Sequence, residues 1–147
     1  PRPAAAKLLT FRHVRAISEA PAFRASNVQS GLWCAPELVR GDLGPVTIKA
    51  NVYALGALLY HMLAGAPPVE GTSAAAREAH AAGSVKPLKE ARPYLRDRAH
   101  HVVALLMARE PFERSDPAAA VALLEAYAND PLVAQPLRTR KKKRRRR

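Results

Sequence analysis

The apolar and polar positions divide the chain unevenly, and one segment dominates. VTIKANVYALGALLYHMLAG, Val46 to Gly65, is apolar on nearly every side from Val52 to Ala64. A surface helix shows one apolar stripe, so this pattern predicts a helix enclosed by others at the centre of the fold. Gly65 supplies a C-terminal stop, and Pro67-Pro68 forbid continuation. Shorter helices are predicted around it. Thr72 or Ser73 caps an alanine-rich helix that ends at Gly83. Asp97 opens DRAHHVVALLMA, with Val102, Val103, Leu105, Leu106 and Met107 turned inward. Asp116 is a cap followed by Pro117 at the first helical position. Ala118 to Ala128 continues that helix, with Val121, Leu124 and Tyr127 at helical spacing.

Elsewhere the pattern is weaker. Lys7 to Ile17 mixes apolar and basic residues, with Leu8, Leu9, Phe11 and Val14 as a short strand and turn. Ser18 to Gln29 is polar without a period and is expected to be loop, and Gly83 to Tyr94 is a connector holding proline and lysine. No internal repeat is visible, and structure is expected to fade after Asn129. The expected class is mainly α: a central buried helix with surrounding helices, then a basic tail.

Composition changes this picture in two places. At 147 residues the chain suits one modest domain, but much of its 48% hydrophobic share is alanine, which buries little area. The formal charge of +12 suggests a nucleic-acid binder until it is mapped. Arg138, Arg140, Lys141, Lys142, Lys143, Arg144, Arg145, Arg146 and Arg147 supply nine of those charges, leaving +3 for Pro1 to Leu137. A basic face over the whole domain is therefore not expected, and the like charges of KKKRRRR should keep it disordered. Such clusters serve as nuclear-import signals or as contacts to phosphate charge. No aromatic residue is interleaved, so base stacking is not suggested.

Cys34 has no second cysteine to pair with, so nothing implies an oxidising compartment. PRPAAAKLL lacks the apolar core of a signal peptide, and Ala50 to Pro68 is too short and interrupted for a membrane span. A soluble intracellular protein is expected, nuclear if the tail directs import. His100-His101 diverge on a helix and are expected to be partly buried, with no metal site. Cys34 is expected to be a packed thiol, since no histidine-partnered motif accompanies it, and Arg92, Arg96 and Arg98 a solvated face.

The chemistry-bearing stretch is SGLWCAPELVRG, Ser30 to Gly41, with an Ala-Pro-Glu triplet at Ala35 to Glu37. Three further pieces follow in order: KANVYALGALLYHMLAGAPP from Lys49, LLMAREPFERSDPAAAVALL from Leu105, and ANDPL from Ala128. Together, over roughly Lys7 to Leu132, they resemble the large C-terminal lobe of a serine/threonine protein kinase, in which the APE triplet is a signature. The resemblance implies the helical lobe of the kinase fold, present as a partial domain. It implies a substrate-docking loop at Ser30, Gly31, Leu32 and Trp33, with Ser30 at the hydroxyl that contacts the catalytic loop. It also implies a structural ion pair between Glu37 and Arg114, because the family's APE glutamate meets the arginine of the closing motif.

The departures are as informative. AKLLTFRHVR, Ala6 to Arg15, resembles the family's DFG segment, with Thr10, Phe11 and Arg12 at the three positions. A neutral hydroxyl is a far weaker magnesium ligand than the aspartate that Thr10 replaces, and Arg12 stands for the flexible glycine. Asn51 occupies the position of the central-helix aspartate that anchors the catalytic loop, keeping an acceptor but losing the charge. Neither a glycine-rich phosphate loop nor a His-Arg-Asp motif occurs, and the chain starts at Pro1 as if cut from a longer one. No catalytic set is complete. ATP and magnesium are implied only for a complete kinase, and the chain alone is expected to transfer no phosphoryl group.

The expected organisation is a degenerate DFG, activation and docking segment over 1–45, a helical core over 46–132 and the basic tail over 133–147. Three functions compete. The first is the large lobe of a serine/threonine kinase whose nucleotide-binding half lies elsewhere. The second is a catalytically dead, pseudokinase-type module that binds proteins near Ser30 to Trp33 and the Ala74 to Gly83 helix. The third is a small nucleic-acid binder acting through its tail. The partners implied are a protein substrate or partner, and an importin or polyanion at the tail. The Ala-, Arg- and Pro-rich composition also resembles the divergent protein kinases of herpesviruses.

Overall fold

The computed structural model describes residues 31–131, and every structural statement below concerns those residues. They are mainly helical, with no strand among them. Five α-helices follow in order: α1 Lys49–Ala64, α2 Ser73–Ala82, α3 Leu88–Ala91, α4 Asp97–Leu106 and α5 Pro117–Ala128. Three single-turn 3₁₀ segments, Pro36–Leu38, Gly41–Leu43 and Pro111–Glu113, shape the connections. None of the described helices is long and apolar enough to cross a membrane.

The helix ends obey local chemistry. Gly65 and Gly83 both take the left-handed conformation that lets a chain turn out of a helix, and each amide returns to a carbonyl four residues back. At the start of α2 the structure chooses between the two candidate caps. The Thr72 hydroxyl accepts from the Ala75 amide, while Ser73 becomes the first helical residue. Asp116 precedes Pro117 as expected, but its carboxylate makes no cap bond and instead pairs with Lys49 at 3.2 Å. The expected connector holds one extra turn, α3, which inserts Leu88 into the core. Arg92, expected in a solvated face, donates to the Ala64 carbonyl at the end of α1, and Arg98 pairs with Asp130 at 3.2 Å.

α1 is the central element. Val52 packs with Ala99, Val102 and Leu106 of α4 and Ala120 and Tyr127 of α5, while Tyr60 and Ala64 meet Leu88 and Val103. Gly56 sets the closest approach, for a Cβ there would stand 2.7 Å from the Leu106 Cβ. One expectation needs correction. α1 is not enclosed on every side: Ile48, Leu55, Leu58 and Met62 are exposed, Met62 to 75%. With Asn51 they recur at alternate steps of three and four, one strip along the helix. All-round apolarity predicts a partner on every face, but the described helices cover only part of the circumference. On α5 the buried side is Ala120 and Tyr127 with Leu123 and Leu124, and Val121 points outward at 53% exposure. Val121 lies one residue, about 100° of helix, from Ala120, enough to leave the packed face.

A buried ion pair and its loop as the candidate functional site

The segment from Gly31 to Val39 is a tight loop laid across helices. It begins where no side chain fits: a Cβ on Gly31 would stand 2.0 Å from the Ser73 carbonyl oxygen. The Gly31 amide instead donates to the Ser73 hydroxyl at 3.3 Å. The Leu32 carbonyl then accepts from His80 Nε2 at 3.0 Å. Because a carbonyl only accepts, that nitrogen carries the proton, which leaves Nδ1 to accept from the Tyr53 hydroxyl at 2.7 Å. His80 is therefore a neutral bridge between loop, α2 and α1. Burial pushes its pKa below the ordinary histidine value, against the smaller opposite pull of the Leu32 carbonyl. Trp33 stacks on His61 of α1, ring centroids 6.0 Å apart.

The far end of the loop is held by charge. Pro36–Leu38 forms a 3₁₀ turn that turns Glu37 into the interior, where it is fully buried. Both its oxygens are gripped by Arg114, Nη1 to Oε1 at 2.6 Å and Nη2 to Oε2 at 2.8 Å. Arg114 places all five of its donors. Nε reaches the Ala108 carbonyl at 2.7 Å, Nη1 also reaches that of Lys49 at 3.0 Å, and Nη2 that of Arg109 at 2.9 Å. The guanidinium carbon also lies 4.8 Å from the Tyr53 ring centroid. Filling the donors left over from a buried ion pair helps repay its desolvation, and here every donor of Arg114 has an acceptor. One side chain joins the loop, the start of α1 and the α4–α5 connection.

Glu37 and Arg114, 77 residues apart in sequence, thus meet. Gly31, Leu32 and Trp33 lie together on the α2–α1 surface. Asn51 stands apart from them on the exposed strip of α1. Thr10, Phe11, Arg12, Ser30 and the tail residues Arg138, Arg140, Lys141, Lys142, Lys143, Arg144, Arg145, Arg146 and Arg147 lie outside the described residues. Cys34 is buried, its thiol raised to about 11 by that burial, with a nearby Arg77 pulling the other way and Glu37 adding to the rise. It is a packed group with little thiolate at neutral pH. His100 is half-buried and donates from Nε2 to the Leu95 carbonyl at 3.1 Å, while His101 is exposed.

Two residues that hold the loop escaped the sequence reading, His80 and Tyr53. A lone histidine in an alanine-rich helix and a tyrosine in an apolar one carry no spacing signal. What could have pointed to His80 is its place four residues after Ala76, on the apolar side of α2.

No protein-family model matches the chain. Among curated proteins it is similar to the serine/threonine-protein kinase PknB of Mycobacterium leprae (strain TN), 35% identical over 71 residues. The match covers 47% of this chain and 11% of that protein, so the chain spans about a tenth of the relative's length. The relation is serine/threonine-kinase-like at that level.

Proposed function

We propose that this chain is the substrate-docking lobe of a serine/threonine-protein-kinase-like protein. The observation that carries the reading is the Glu37–Arg114 pair. It rigidly fixes a loop bearing Trp33 on a helical platform, as positioning a protein substrate requires. Phosphoryl transfer asks the protein mainly to hold phosphates and metal, and that apparatus lies upstream of these motifs in the family. The chain alone therefore docks and does not transfer. The open strip of α1 supports the same reading, because four large apolar side chains in a row fit a surface that another part of a longer protein covers. The matched relative is bacterial, and composition alone gives a viral origin no separate support.

The test is the intact mass of the native product, detected with an antibody against the helical core. A species much larger than 16.0 kDa that phosphorylates protein, and gains activity on Thr10→Asp, bears the proposal out. A native species of 16.0 kDa overturns it. The second reading, a pseudokinase-type protein-binding module, is favoured by the neutral residues Asn51 and Thr10 at two positions where the family carries aspartate. It predicts a large native species that binds protein, transfers no phosphate and is not rescued by Thr10→Asp.

A further inference from the structure

A cleft of about 510 Å³ opens beside α1, α3 and α4; neither Glu37 nor Arg114 lines it, although their neighbours Pro36, Tyr53 and Arg109 do. Tyr60, Leu88, Val103 and Met107 give it an apolar lining. The charges that line it are all of one sign: Lys86, Lys89 and Arg109, with three histidines and no aspartate or glutamate. Arg109 is already engaged, pairing with Glu110 at 2.8 Å and donating to the Ala81 carbonyl. Lys86 and Lys89 are exposed, and neither has an ion-pair partner among the described residues. Glu90, whose charge reaches the Tyr60 hydroxyl, does not line the cleft.

A concave apolar site of roughly 300–1,000 Å³ with a few convergent polar groups is the ordinary form of a small-molecule pocket. Here the polar groups select by sign. Two unpaired ammonium groups beside an apolar wall attract an anion with a hydrocarbon body and repel a cation of the same shape. We propose that this cleft binds an apolar carboxylate, its hydrocarbon against Tyr60, Leu88, Val103 and Met107 and its carboxylate at Lys86 and Lys89. Binding is non-covalent. Tyr53 and His80 also line the cleft, so an occupant touches the groups that hold Leu32. The site is independent of any kinase reading.

The test is calorimetric titration of the full 147-residue chain with dodecanoate, dodecanol and dodecyltrimethylammonium, each below its micelle concentration. One dodecanoate should bind per chain, with the alcohol and the cation weaker by at least about tenfold. Two variants at exposed positions locate the site without touching the core. Lys86→Glu combined with Lys89→Glu should weaken dodecanoate by about tenfold or more, and Ala104→Phe, on the cleft's edge, should do the same by filling it. Absence of dodecanoate binding, or equal binding of all three headgroups, overturns the proposal. So does unchanged affinity in both variants, which is the behaviour of association with the basic tail. Binding of an acidic phenylalanine-containing tripeptide in the cleft where dodecanoate fails also overturns it, and makes the cleft a protein-docking site.

Discussion

At the scale of single residues, two buried polar groups decide how the loop is held. Glu37 and Arg114 have fully buried side chains, so removing either leaves its partner's charge desolvated and without its counter-ion. Such a loss costs about 3–5 kcal/mol, far more than the net worth of the intact pair. Glu37→Ala should therefore lower the unfolding free energy measured in urea by that amount and expose the loop to protease. Arg114→Lys should fall short of rescue, because an ammonium cannot supply five donors in a planar fork. His80 adds a dependence on pH. Its folded-state pKa is depressed, so the folded protein binds fewer protons than the unfolded chain below about 6.5, the ordinary histidine value. The stability it contributes is complete above that value and is lost as pH falls through the folded value. Unfolding curves from pH 7.5 to 5 should show the decline, and His80→Gln should flatten it. Cys34, its thiol pushed up to about 11, should react with a disulfide reagent in the native state far more slowly than in urea.

At the scale of elements, the contact between α1 and α4 sets two effects against each other at Gly56. Alanine there would gain about 1 kcal/mol of helix propensity. Its Cβ would also stand 2.7 Å from the Leu106 Cβ and 2.8 Å from the Met107 Cγ, an overpacking that costs about 1–3 kcal/mol. The clash should win, and Gly56→Ala should lower the melting temperature while leaving helix content unchanged. The existence of α1 and its stop at Gly65 were legible, because an apolar run closed by Gly and Pro has one local solution. Which face stays open among the described residues was not, because all-round apolarity marks no one face of the helix as different from the others. Val121 shares helical spacing with Leu124 and Tyr127 yet lies outside the packed face, for a related reason. An alanine-rich helix offers its smallest side chains at the tightest contact, so Ala120 packs and the larger neighbour is left outside.

At the scale of the molecule, the open strip of α1 and the separated charge of the tail make independent claims. Leu58→Glu with Met62→Glu alters only exposed positions of this chain, so its stability should move by no more than about 0.5 kcal/mol per site. Self-association measured by sedimentation should decrease. In a longer native protein the same pair should be strongly destabilising if another segment covers the strip. An unchanged longer protein would sink that claim. Removing Arg138 to Arg147 takes the net charge from +12 to +3. It should abolish salt-sensitive binding to heparin and leave the melting temperature of the helical body where it was.

The amino-acid sequence alone determined the local features: the helix class, the stops at Gly65 and Gly83, the proline that opens α5, and the concentration of positive charge at the tail. Each follows from backbone stereochemistry or residue type within a few positions. The Glu37–Arg114 pair was legible too, but only through the order of motifs resembling a family, since nothing local in either residue announces a partner 77 positions away. The tertiary structure decided what depends on distant chain segments meeting. It placed Ser73, His80 and Tyr53 beneath the loop, filled the fifth donor of Arg114, and left Lys86 and Lys89 at the edge of an apolar cleft with no ion-pair partner among the described residues. Those facts depend on which surfaces close on one another and which remain open, and the periodicity of a single helix carries no record of that choice.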